Sequence, residues 1–401
     1  MPGLTLRRRQ PGRRAGAIAV ARHRRRSLGN NGSKVSGDRN RETRYRLLRA
    51  ANRHSPHRNV QKCRRCARGV IEIYRTADGR CFYRGLSTCS SVWECAVCAL
   101  AICIGRAAEV RAMLDRNRDR GGGAIMVTLT LPHDAGDALR PMAAHVARAM
   151  QYVQTGREWV RVKGQIGFRA SVRALEVTYG TSGWHPHVHM VICTDRALSD
   201  AEREDVRVYF YRRWVYAITR PNKDTGRVYR TPSVEHGVTV TESHRDDYLA
   251  KLGLADEVVR GSVKQGHEGS RTPFQILDDI AVADRALGRK EPFDAEARER
   301  DIALYQEYAR GMHGRRQLTY SRDARALFGL DDEVDDEQLM LDIEAGDAPD
   351  RVTEVEPDVW STIVETETRA AALRAAEQGG ADGYLRMSDR LMRGLPPDPP
   401  P

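Results

Sequence analysis

Three histidines at strict two-residue spacing stand in the stretch "GWHPHVHMVI", residues 183–192: His185, His187 and His189. Alternate side chains of a β-strand share a face, so the three imidazoles form one row, with Val188, Met190 and Ile192 on the other side. The segment before it, "ASVRALEVTY" (170–179), alternates too, and "GTSG" between them is turn chemistry. If the chain reverses at Thr181–Ser182, Glu176 falls opposite His187 as a cross-strand pair. Imidazoles and a carboxylate on a sheet surface suit a divalent cation that keeps open positions. We expect His187, His189 and Glu176 as ligands, with His185 beside them. Mixed nitrogen and oxygen ligation fits Mn²⁺ or Mg²⁺ acting on phosphate, and would also take zinc.

A second metal chemistry is written in the cysteines. "CRRC" (Cys63, Cys66) and "CAVC" (Cys95, Cys98) are two C-x₂-C knuckles separated by 28 residues. Each lets two thiolates reach one ion, and two together close a tetrahedral structural Zn²⁺ site. Cys89 is an alternative member of the first pair, and "TADGRCFYRG" has the composition of a hairpin inside the gap. Cys193, alone on an apolar strand, reads as a core thiol.

The elements that must carry these groups follow from periodicity. "AIMVTLTLP" (124–132) alternates and ends in proline, so it is a strand with Thr128 and Thr130 on a polar face. "LRPMAAHVARAMQYVQ" (139–154) has helical spacing. "LSDAEREDVRVYFYRRWVYAI" (198–218) is a helix opened by Ser199 with Glu202 three residues on, a capping box. "HGVTVTE" (236–242) is a short strand, and "HRDDYLAKLG" (244–253) a helical turn stopped by Gly253. This order implies an α+β fold, an antiparallel sheet with helices on one face. A zinc-ribbon-like module precedes it and a mostly helical region follows.

Charge is unevenly placed. Residues 1–60 carry 17 Lys and Arg against Asp38 and Glu42, whereas the whole chain of 401 residues has a net charge of +12. The block around Arg24, Arg25 and Arg26 lacks hydrophobic periodicity and reads as a flexible arm that binds phosphate backbones. We expect five segments: a basic disordered arm (1–60), a zinc-ribbon-like module (61–105), a catalytic domain (106–260), a helical extension (261–330) and an acidic, partly disordered tail (331–401). No stretch is apolar enough to span a membrane, and "AGAIAVA" is too short for a secretory signal core, so a cytoplasmic protein is expected.

Three motifs in order carry a family resemblance. "VTLTLP", "HPHVH" and "YLAK" resemble the HUH endonucleases, and more closely the rolling-circle replication initiators of plasmids from Gram-positive bacteria, in particular actinobacteria. The resemblance spans roughly residues 62–330. It implies that Tyr248 is a nucleophile forming a 5′-phosphotyrosine and leaving a 3′-hydroxyl primer. It implies that Lys251, three residues on, serves the same phosphate. Its partners would be plasmid origin DNA, a host helicase and a DNA polymerase. A phenol with a pKa near 10 needs such help at neutral pH. Some relatives place a glutamate four residues before the tyrosine; here that position is His244, with Glu242, Asp246 and Asp247 near, which leaves the terminating cleavage open. The alternatives are an HUH relaxase or transposase, in which the tyrosine commonly precedes the histidines, and a non-catalytic zinc-ribbon regulator.

Overall fold

In the computed structural model, which describes residues 34–242, 269–330 and 350–397, apolar spacing at Leu47, Leu48, Ala50 and Ala51 gives α1 (Lys34–His54) a buried face. The chain divides into residues 1–37 and 38–401, and the packing below belongs to the second unit. There follow α2 (Arg58–Lys62), β1 (Ala67–Arg75), β2 (Cys81–Leu86), α3 (Ala96–Asp119), β3 (Gly123–Thr130), α4 (Leu139–Val153) and α5 (Gly156–Gln165). Then come β4 (Phe168–Gly180), β5 (Gly183–Thr194), α6 (Asp200–Ile218) and β6 (Val238–Glu242). The described C-terminal elements are α7 (Pro273–Arg289), α8 (Ala295–Met312), β7 (Leu318–Tyr320), α9 (Ala324–Leu327), β8 (Asp350–Glu354), α10 (Pro357–Glu365) and α11 (Arg369–Met392).

Two antiparallel sheets result, a five-stranded one in the order β6-β3-β5-β4-β7 and a three-stranded one in the order β2-β1-β8. The α+β class is as expected. The β4–β5 hairpin turns at Thr181–Ser182, with Gly180 opposite Gly183 and Glu176 opposite His187. Gly183 sits at φ +86°, and a Cβ there would press on Ala135, so the turn needs a glycine. Ser199 and Glu202 form the expected capping box at the start of α6.

Alternation sorts the large sheet into two faces. Val127, Leu129, Val177, Val188, Met190 and Ile192 pack under α4 and α6, which supply Met142, Val146, Met150, Phe210 and Trp214. The opposite face holds the histidines at one end and Met126, Val172, Val191 and Cys193 at the other. That apolar end is covered by Val110, Met113 and Leu114 of α3 and Phe328 after α9. Helices therefore cover both faces, not one: Met126, Val172, Val191 and Cys193 on the histidine face would otherwise lie in water. Among the described residues no helix packs over the histidine end, where His189 is buried and His187 and Glu176 are partly exposed.

Two segment boundaries also differ from expectation. Residues 34–54, within the proposed arm, are helical, because the aliphatic spacing of the second half of α1 outweighs its arginines. Residues 350–397, within the proposed acidic tail, form β8, α10 and α11. β8 pairs with β1, and Trp360, Ile363, Leu373 and Tyr384 build a separate core over the small sheet. The average acidity of that stretch hid its apolar positions at helical spacing.

A buried carboxylate ties three helices together. Asp284 on α7, 4 % exposed, accepts from Arg298 of α8 (2.6 and 2.8 Å) and from His54 (2.9 Å) and Arg53 (3.2 Å) of α1. Burial raises its pKa, but the bonds from His54 and Arg298 more than offset that and hold it at about 2. A carboxyl held below its unfolded value stabilises the fold at every pH above that unfolded value. The contribution fades as pH falls from about 4 towards 2. Asp284→Asn should therefore cost about 2 kcal/mol at neutral pH in urea unfolding. The gap between variant and wild type should narrow to about half by pH 3 and close below about pH 2; an unchanged gap at pH 3 would contradict this account.

Candidate functional site

At the histidine end of the large sheet, Glu176 of β4 meets His187 and His189 of β5. Glu176 Oε2 lies 3.2 Å from His187 Nε2 and 3.0 Å from His189 Nε2. The three donor atoms lie within 4.8 Å of one another. His187 Nδ1–H donates to the His185 carbonyl at 3.2 Å, which fixes the tautomer with the Nε2 lone pair turned to Glu176. A carboxylate oxygen and an imidazole lone pair are both acceptors, and at this separation they need a proton or a metal cation between them. Burial raises the Glu176 pKa, but the hydrogen bonds and charges of His187 and His189 drive it well below the ordinary carboxylate range. Two imidazole nitrogens and one carboxylate oxygen suit a divalent cation, and the donor set fits. Thr128 of β3 stands behind the group, its hydroxyl 2.9 Å from His189 Nδ1. That orients the ring from the far side, as supporting groups of metal-ligating histidines do.

His185 shares the face but not the donor group. Its Nδ1 lies 2.9 Å from His133 Nε2, and His133 Nδ1 donates to the Ser182 carbonyl at 2.8 Å. A carbonyl only accepts, so the proton positions follow: His133 keeps hydrogen on Nδ1, His185 donates from Nδ1, and His185 Nε2 retains its lone pair. Burial lowers the pKa of both, His185 to about 4, so the pair is neutral at physiological pH. Of the row of three histidines, His187 and His189 converge with Glu176 as a candidate ligand set, while His185 is outside that set and pairs with His133. Sequence reasoning missed His133. Its signal was the position three residues after Thr130, where the strand that faces the histidines ends.

The cysteines converge as well, with one substitution. Cys63, Cys89, Cys95 and Cys98 are buried with their sulfurs within 4.8 Å of one another. Separations are 3.7 Å for Cys63–Cys95, 3.6 Å for Cys63–Cys98 and 3.7 Å for Cys89–Cys98. A tetrahedral ion with metal–sulfur bonds of about 2.3 Å requires sulfur–sulfur edges of about 3.8 Å, so the cluster fits a Cys₄ zinc site. The same hydrogen-bond network holds the Cys98 thiol well below its ordinary pKa and those of Cys89 and Cys95 well above theirs, so the sulfurs share protons that a metal ion would displace. Cys66 is exposed and outside the group. Arg64 turns through φ +54° after Cys63, and Arg64 N–H and the Cys66 carbonyl pair with Ser87. Cys66 is thereby drawn into the β1–β2 hairpin, whose return brings Cys89 beside Cys63 instead.

Tyr248 and Lys251, and Arg24, Arg25 and Arg26, lie outside the described residues. β6, which ends at Glu242, borders β3 at Ile125.

The site defines an α+β protein with a His₂Glu centre on an antiparallel sheet and a four-cysteine module. The chain is 29% identical to "Protein rep" of Streptomyces lividans over 376 residues, covering 79% of this chain and 80% of that relative. It is also 30% identical over 165 residues to a "Neomycin resistance protein" of Streptomyces cyanogenus, covering 35% of this chain and 37% of the relative. The resemblance to actinobacterial Rep proteins read from the motifs agrees with the first match. No family model matches the chain, and no solved structure matches it.

Two outcomes check this geometry. Cys89→Ser should lose the tightly held ion that Cys66→Ser retains, read by elemental analysis of purified protein; the reverse would restore the C-x₂-C pairing. Thr128→Val should weaken Mn²⁺ affinity roughly 10–100-fold in calorimetry while leaving the fold intact.

Proposed function

We propose that this protein initiates rolling-circle plasmid replication by nicking one strand of origin DNA with a tyrosine. The observation that carries the reading is the meeting of Glu176 Oε2 with the Nε2 atoms of His187 and His189 at the histidine end of the sheet. The Rep relative, matched over most of both chains, supports replication as the setting. A divalent ion at Glu176, His187 and His189 would supply Lewis acidity at the scissile phosphate. The chain supplies the rest. Tyr248 Oη attacks phosphorus, the P–O3′ bond breaks, and a 5′-phosphotyrosine and a free 3′-hydroxyl result. Lys251, three residues on in the sequence, would offset the negative charge on that phosphate.

Tyr209, Tyr211 and Tyr229 have their hydroxyls engaged elsewhere. Tyr209 donates its hydroxyl to the Val153 carbonyl at 2.7 Å, and burial pushes its pKa to about 12. Tyr211 donates to the Pro232 carbonyl at 2.9 Å, and Tyr229 is buried with its hydroxyl 3.4 Å from the Asn222 amide. In this reading Arg24, Arg25 and Arg26 contact the phosphate backbone, zinc fills the cysteine cluster, and the host helicase and polymerase act in the cytoplasm on the exposed 3′-end. No described helix is long and apolar enough to cross a membrane.

Tyr248→Phe removes one hydroxyl and leaves the metal ligands in place. Nicking of single-stranded origin DNA with Mn²⁺ should fall by several orders of magnitude, with affinity for that DNA near unchanged. Wild type should carry DNA on the tryptic peptide Asp246–Lys251. An adduct on Tyr209, Tyr211 or Tyr229 would move the nucleophile. Efficient nicking by the variant, with no adduct in wild type, would replace this chemistry with hydrolysis.

A further inference from the structure

A cavity of about 400 Å³ lies between α1, α7 and the start of α11, a size that suits a small molecule. Five of the described arginines line it: Arg46 and Arg49 from α1, Arg285 from α7, and Arg369 and Arg374 from α11. We propose that this cavity is a phosphate-binding site, in which the uncapped first turn of α11, Arg369 and Arg285 receive a phosphate dianion.

Pairing the charges shows which are left over. Arg46 bonds to Asp278 at 2.5 Å, Arg49 to Glu367, and Arg374 to Glu42. Asp284, the remaining carboxylate of the lining, is committed to Arg298, His54 and Arg53. Arg285 is exposed and has no ion pair among the described residues, and Arg369 has no carboxylate partner among them. Two cations therefore remain, which matches the charge of a dianion.

Arg369 is the sharper of the two. It is 3 % exposed; Nη1 donates to the Arg64 carbonyl at 3.1 Å, and the guanidinium carbon stands 5.3 Å from the centre of the Tyr45 ring. Its Nε is buried with no acceptor among the described residues, and so is the Nε of Arg46. Burial lowers the Arg369 pKa, the mark of a cation short of counter-charge. A carbonyl and a ring face supply partial charge, whereas an anion supplies the whole.

The helix adds a second set of donors. Thr368, Arg369, Ala370 and Ala371 are the cap and first three residues of α11, and all four line the cavity. Thr368 makes no capping bond; its hydroxyl lies 3.0 Å from that of Thr366. The first turn holds no acidic residue. Ala372 N–H donates to the Thr368 carbonyl, while the N–H groups of Arg369, Ala370 and Ala371 have no partner among the described residues. Orphan N–H groups at the positive end of a helix dipole suit a phosphate.

The test is inorganic phosphate titrated into the full chain by calorimetry at constant ionic strength, with adenosine monophosphate in parallel. Arg285→Ala removes an unpaired cation at an exposed position and should weaken phosphate about tenfold. Ala371→Asp sets a carboxylate where the phosphate would sit. Binding should vanish, while the Tm of the unliganded chain should hold or rise, because an acid in the first turn of a helix is stabilising. Lost binding with retained Tm separates an occupied site from a damaged fold, and the difference from wild type isolates the cavity from phosphate held elsewhere. Tighter binding of adenosine monophosphate than of phosphate, lost in both variants, assigns the group to a nucleotide; equal or weaker binding assigns it to free phosphate. No phosphate binding in wild type, or binding that either variant keeps unchanged, would overturn the proposal and leave the arginines as packing between the helices.

Discussion

The uneven cover of one sheet face is the constraint on which the site depends. Side chains alternate on β5, so His185, His187 and His189 share a face with Val191 and Cys193. That face is half apolar and half polar, and the two halves need opposite environments. α3 resolves the conflict by packing Val110, Met113 and Leu114 over the apolar half only. Among the described residues no helix packs over the histidine half. α3 begins at Cys95 and Cys98, so the helix that delimits the histidine site starts in the cysteine cluster. A helix of this length spans about 36 Å, and its start is anchored by the sulfurs while its end is anchored by the sheet.

This coupling gives the cysteine module a mechanical reason to be there. Asn52 of α1 donates to the Cys63 carbonyl at 3.2 Å, Asn59 donates to that of Cys89, and Arg369 donates to the Arg64 carbonyl at 3.1 Å. Tyr83 returns a bond to the Arg369 carbonyl, and Trp360 Nε1 donates to that of Arg65. The last described helices thus brace the backbone just after Cys63. Buried donors satisfied by specific carbonyls lock register more than they add net stability.

What could be read from the sequence was short-range. The β4–β5 register followed from one two-residue turn, and with it the pairing of Glu176 and His187; the α6 cap followed from Ser199 and Glu202. The rest depended on contacts distant in the chain. Cys89 displaces Cys66 because the β1–β2 pairing, not the C-x₂-C spacing, decides which thiol faces Cys63. β8 joins β1 across more than two hundred residues, and no local pattern encodes such a pairing. His133 could not be placed without the loop that carries it back to Ser182. A helical cover on the histidine face was hidden for a related reason: α3 has little amphipathic contrast, since it is buried against sulfur at one end and sheet at the other.

Arginine content shows why composition alone is a poor guide to nucleic-acid contact here. The chain has 59 arginines and 7 lysines, which invites a reading of DNA binding throughout. In the folded part many guanidinium groups are structural. Arg41 pairs with Glu377, Arg374 with Glu42, Arg271 with Asp301, Arg298 with Asp284 and Arg325 with Glu109. Arg227 and Arg230, near the histidine site, are both bound to Asp134. A guanidinium committed to a carboxylate releases no counterions from DNA unless that pair is broken first. Electrostatic affinity should then reside mainly where basic residues outnumber acidic ones locally. That is residues 1–33, with nine arginines and no acidic residue, whereas Arg41, Arg46, Arg49 and Arg53 are already paired with Glu377, Asp278, Glu367 and Asp284; the salt dependence of the proposed DNA binding should follow those first residues.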